Sequence, residues 1–142
     1  MRPVKVLSIL AIVCTCVASP SGIEEIKIVA NPGIAVSEIS HDDLNRIFLM
    51  TKTSLPGAGH VEPVLETGGP VHKEFLKEYI GRTNAALMTY YRSLVFTGKA
   101  SIPRTFSSET ALIEYIAKTK GAIGYVSANA NTAGVKTMRV KE

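Results

Sequence analysis

The stretch Leu65-Glu66-Thr67-Gly68-Gly69-Pro70-Val71-His72 is where the chain changes its period. The apolar run 61–65 ends there. An amphipathic pattern begins, with Val71, Phe75, Leu76, Tyr79 and Ile80 on one side. Pro70 suits the first helical position, because the N–H it lacks would have no intrahelical partner. Gly68 and Gly69 let backbone come close to a ligand. A strand that runs through glycines into a helix N-terminus offers free N–H groups and the positive end of a helix dipole. Both hold anions. The same punctuation also makes a plain strand–helix turn, and the local pattern allows either reading.

Working outward, residues 26–30 (Ile-Lys-Ile-Val-Ala) predict a first strand, closed by Asn31-Pro32-Gly33. Ser40 caps a short helix over 42–49, with Asp42 and Asp43 in its first turn. Residues 51–60 read as a polar loop around Pro56-Gly57. Residues 61–65 form a second strand, and Pro63 marks it as an edge or bulged strand, since it cannot donate to a ladder. A helix over 70–80 ends at Gly81 as a left-handed cap. Thr83 caps a third helix reaching Phe96, and Gly98 follows it. Residues 104–106 suggest a short strand. Ser107 or Ser108 caps a fourth helix with Leu112, Ile113 and Ile116 inward and Gly121 beyond its end. Residues 122–126 have the apolar run of a buried strand, and 135–140 alternate as a last one. Strands interleaved with helices predict an α/β domain with a mixed sheet of about five strands flanked by about four helices.

The 142-residue chain opens with a basic segment, an apolar run over 6–17 and small residues before Ser19. That is the pattern of a secretory signal over 1–18. The run is shorter than the roughly 20 residues of a membrane span; a retained anchor is the second reading. The folded domain is assigned to 23–142. Both cysteines, Cys14 and Cys16, lie in the signal, so the exported part has no disulfide and no thiol chemistry. The formal charge of +4 falls to +2 without Arg2 and Lys5. So mild a balance gives no case for nucleic acid.

The chemistry-bearing residues are sparse. His41, His60 and His72 share no ligand spacing, which excludes a paired-ligand zinc site. His72 reads as solvent-exposed in the first helical turn, its ring within reach of a bound anion. No nucleophile elbow, Walker loop or dinucleotide fingerprint occurs. Lys73, Glu74, Lys77 and Glu78 read as a solvated helix face. Lys52, Arg92, Lys99 and Arg104 are the cations that could complete an anion site. Arg92 sits among apolar residues, where the pattern favours snorkelling from the core edge. The binding set is Thr67, Gly68, Gly69, Val71, His72 and Arg92, with no catalytic residue, metal or cofactor.

Several segments together carry a resemblance. They are the strand ending in Asn31-Pro32, Leu44-Asn45-Arg46-Ile47-Phe48-Leu49 with Lys52, the Thr-Gly-Gly turn, Phe96-Thr97-Gly98-Lys99, and Gly121-Ala122-Ile123-Gly124-Tyr125-Val126. Over residues 26–140 the chain resembles the periplasmic phosphate-binding subunits of ABC transporters, in a short form. The resemblance implies a type II periplasmic-binding-protein-like fold with room for one of the usual two lobes. It implies phosphate held by backbone N–H groups at helix N-termini and by polar side chains. The family's full-length members carry an arginine and a Ser-Gly-Ser/Thr segment at this turn. Here the segment is Glu66-Thr67-Gly68-Gly69-Pro70. Glu66 would repel a dianion, and Pro70 deletes a donor. The expected function is an exported, non-enzymatic solute-binding-like protein for phosphate or a similar small anion, working with a membrane transporter in uptake or sensing. The alternative is a ligand-free module that contacts an envelope or membrane partner. The sequence leaves the oligomeric state open.

Overall fold

A computed structural model describes residues 25–142; the expected signal lies outside them. β1 (Ile26–Ala30) alternates its side chains between two apolar layers. Ile28 and Ala30 enter one, and Val29 enters the other. β7 (Ala122–Ser127) divides the same way, with Ile123 and Tyr125 on one face and Ala122 and Val126 on the other. This period-two division means that helices cover both faces of the sheet.

The remaining elements are β2 (Glu38–Ser40), α1 (His41–Phe48), β3 (Ser54–Leu55), β4 (Gly59–His60), β5 (Glu62–Glu66) and α2 (Gly69–Phe75). Then come α3 (Asn84–Phe96), β6 (Arg104–Phe106), α4 (Glu109–Lys118) and β8 (Lys136–Lys141). The main sheet is six-stranded and mixed, in the order β2-β8-β1-β7-β5-β6. β5 runs parallel to β6 and β7, and β1 runs antiparallel to β7 and β8. Leu112 and Ile116 of α4 seal one face. Leu44, Phe48, Val71, Phe75, Leu87 and Tyr91 seal the other. The α/β class and four helices match expectation.

The sheet has one strand more than expected. β2 is a three-residue segment that forms by parallel pairing with β8. The expected loop over 51–60 instead contains the antiparallel pair β3–β4. The expectation that Pro63 lies on an edge or bulge is also corrected: β5 has neighbours on both sides. The Glu62 N–H donates to Gly121 O, on the β7 side. Alternation then turns the Pro63 nitrogen the other way, and β6 begins opposite Val64, one residue later. The missing donor falls where no ladder needs it.

Helix ends follow local chemistry. Ser40, Thr83 and Ser108 accept from Asp43, Ala86 and Ala111 N–H groups at 3.0, 3.2 and 3.2 Å. The helix after the glycines continues beyond Phe75 as one wide π turn, Leu76–Ile80, closed by Gly81 in the left-handed region. Carbonyls freed by that turn are taken up by α1: Asn45 Nδ2 donates to Tyr79 O at 2.7 Å, and the His41 ring bonds Glu78 O at 3.0 Å. Asn31 ties β1 to α4, its amide donating to Ile116 O at 2.8 Å.

Candidate functional site

β5, β6 and β7 run parallel, so their carboxyl ends share one side of the molecule. α2 and α4 start at that side. Ligands of open α/β sheets bind there. Gly68 (φ 72°) and Gly69 (φ 86°) both adopt the left-handed region, which only glycine enters cheaply, and so turn the chain from β5 into α2. No side chain caps the start of α2.

Behind the turn lies a relay of polar groups. The Glu66 N–H donates to the Tyr125 hydroxyl at 3.0 Å. That hydroxyl bonds His72 Nδ1, and His72 Nε2 lies 2.8 Å from Asn84 Oδ1. A carbonyl oxygen can only accept, so Nε2 carries the proton and Nδ1 accepts from Tyr125. Burial favours this neutral form of the imidazole. Beneath it the Phe75 and Tyr125 rings stack at 3.9 Å, and Phe48 meets Phe75 edge-on at 4.7 Å.

His72 is 2% exposed, so the expected exposed ring is corrected. The helix start turns this side of α2 onto Tyr125, and Asn84 closes over it. Burial pushes its pKa below the ordinary histidine value, against a smaller lift from the Asn84 bond. Glu66 moves the opposite way: burial, reinforced by Glu109, raises its carboxyl. Its Oε2 is buried without a partner, and its Oε1 lies under Gly69. Glu109 is held by the Ser127 N–H at 2.6 Å and the Ser127 hydroxyl at 3.1 Å.

These two groups have opposed effects on stability. A lowered histidine makes stability full above about 6.5, declining as pH falls from there toward the folded value. A raised carboxyl adds stability at low pH that is lost as pH rises through its folded value. In Glu66→Gln the His72 effect stands alone between about pH 4.5 and 6.5, above the range where the lowered Glu38 and Asp43 carboxylates titrate. Its melting temperature is expected to drop as pH falls below about 6.5, and Glu66→Gln/His72→Phe is expected to lose that drop. Thermal melts across this range check it; an unchanged slope in the double variant removes His72 as the cause.

Gly68, Gly69 and Pro70 open onto a groove of about 910 Å³ along α2, also lined by Lys73, Lys77, Arg82 and Asn84. Glu74 is its one acid. Among the described residues, Lys73, Lys77 and Arg82 enter no ion pair. Arg82 lies 4.8 Å from the centroid of the Tyr90 ring. Asn84 gives its oxygen to His72, which leaves its NH₂ to the groove.

Of the residues expected to bind, the structure brings Gly68 and Gly69 to the groove. The Thr67 side chain is exposed, but its N–H already donates to Phe106 O at 2.8 Å. Val71 points into the core. Arg92 is exposed on α3 and does not line the groove. Lys52 is paired with Asp43, and Arg104 lies over the Tyr115 ring. Arg82 and Asn84 were not singled out, because Gly81-Arg82-Thr83-Asn84 reads as helix punctuation. The i, i+4 spacing of Lys73 and Lys77 was the available signal. Among the described residues no His, Asp and Glu cluster could hold a metal ion.

No protein-family profile and no curated protein matches the chain. Solved structures do. An ABC-type phosphate transport receptor from Vibrio cholerae superposes with a TM-score of 0.55 at 15% identity, over 82% of this chain and 46% of that one. A phosphate ABC transporter substrate-binding protein from Clostridium perfringens, solved with bound phosphate, gives 0.64 at 13% identity, over 82% and 45%. PstS from Borrelia burgdorferi gives 0.61 at 16%, over 84% and 48%. The fold is that of phosphate-transport receptors. The chain spans about half the length of those receptors. At these identities the likeness establishes the fold alone.

Proposed function

We propose that the chain is an exported, non-enzymatic solute-binding protein, and that its groove along α2 takes phosphate or a similar small anion for a membrane transporter. The observation that carries this reading is the donor-rich lining. Lys73, Lys77, Arg82 and the Asn84 amide face one cavity with a single acid among them. The fold shared with phosphate receptors supports it. Gly68 and Gly69 bring backbone to the same groove, and the His72 relay orients Asn84 from behind. Thr67 and Val71 shape the turn rather than touch the ligand.

Glu66 opposes this arrangement at the turn itself. Its carboxylate repels an anion seated over Gly69. Calorimetry with phosphate, and with sulfate as a non-titrating comparison, tests the reading. Glu66→Gln is expected to tighten anion binding about fivefold to tenfold. Arg82→Ala is expected to weaken it at least about tenfold. Absence of heat at millimolar phosphate and sulfate, in the parent and in Glu66→Gln, would sink the anion reading.

A further inference from the structure

Phe96, at the end of α3, is 93% exposed, the most exposed large apolar side chain among the described residues. Val95 and Ile102 are each 47% exposed. Arg92 lies one turn before Phe96 on the same helix face, at i and i+4. Lys99 follows in the closing turn, where its N–H and that of Ala100 return to Leu94 O at 2.8 and 3.4 Å. That return closes the helix end just after Phe96. From Tyr79 to Ser108 the chain has no acidic residue, and Arg82, Arg92, Lys99 and Arg104 are its only charges.

We infer that this helix end docks on an anionic lipid surface, with Phe96 inserted at the headgroup boundary and Arg92 and Lys99 on the headgroups. Apolar burial and attraction to anionic lipid add in such contacts, and neither needs a large area. A protein partner does need area. A stable interface takes about 800 Å² per partner. One aromatic and two half-exposed aliphatic side chains supply only a fraction of that. A second copy would bring the same cations against these, which is repulsive. Among the described residues no helix is long and apolar enough to span a membrane, so the contact is interfacial. The proposal does not depend on anion binding in the groove.

The chain contains no tryptophan, so Phe96→Trp introduces a single indole at the proposed contact. The substitution is at an exposed position and leaves the core untouched. The full chain with Phe96→Trp is mixed with phosphatidylcholine vesicles, with and without phosphatidylglycerol. The expected result is a blue-shifted indole, quenched by brominated lipid, on the phosphatidylglycerol vesicles. Adding Arg92→Gln or Lys99→Gln is expected to weaken that partition about fivefold each. Three results would overturn the proposal. One is an unshifted indole on a chain that nonetheless floats with the vesicles, which places the contact elsewhere. Another is an equal shift on pure phosphatidylcholine. The third is a shift without vesicles that grows with protein concentration, which makes a second copy the occupant.

Discussion

Gly121→Ala is expected to destabilise the fold by about 3–5 kcal/mol. Two causes combine. Gly121 has φ 81°, where a side chain costs roughly 1–2 kcal/mol. A Cβ there would also lie 2.4 Å from His60 O. That oxygen belongs to the backbone of β4, so relief requires moving a strand rather than a rotamer. The same close approach carries Glu62, whose N–H donates to Gly121 O at 2.8 Å. Gly81→Ala is the control. Gly81 has φ 72° with nothing near the added Cβ, so it is expected to cost only the conformational part, about 1–2 kcal/mol. Urea unfolding of both variants separates strain from collision. Equal losses would show that the approach to His60 costs nothing.

Tyr125→Phe is the second large effect, expected at about 2–4 kcal/mol with almost no change in volume. The hydroxyl is fully buried and serves two partners. Removing it orphans the Glu66 N–H and His72 Nδ1 together. Each loses the hydrogen bond that made its burial tolerable, and a buried orphan costs about 1–3 kcal/mol. Adding His72→Phe removes one orphan, so the double variant is expected to lose less than the two single losses added. A fully additive cycle would argue that the hydroxyl and the imidazole are not energetically joined. The proposed anion site is expected to respond too, because His72 would no longer hold Asn84 in one orientation.

Helix starts were legible in the sequence because they are local. Ser40 and Thr83 were named from residue type alone and bond the expected amides, and one of the two candidate serines, Ser108, does the same. Gly81 and Gly121 were legible for the same reason. Short strands were not. β2 has three residues, too few for its alternation to stand out, and its pairing partner β8 lies at the far end of the chain. β3 and β4 have two residues each and exist only as each other's partner. Pro63 misled because a proline's tolerance depends on where the neighbouring strand begins, and that register belongs to β6. The turn at Gly68 and Gly69 was legible, since positive φ demands glycine. Its surroundings were not. The burial of His72 rests on Tyr125 and Asn84, which are remote in sequence, and the groove's cations come from residues that read as solvated surface or helix caps.

The sheet order also bears on how the chain is made. β1 is the first described strand, yet both of its ladders are with β7 and β8, the last two, and Ile26 faces Ser127. A nascent chain cannot complete this sheet while its distal segments are unsynthesised. The loop-closure cost of joining such distant strands falls on the final stage of folding. Until then β1 has no partner and the aromatic floor under the groove has no Tyr125. The groove along α2 is therefore among the last parts of the molecule to form.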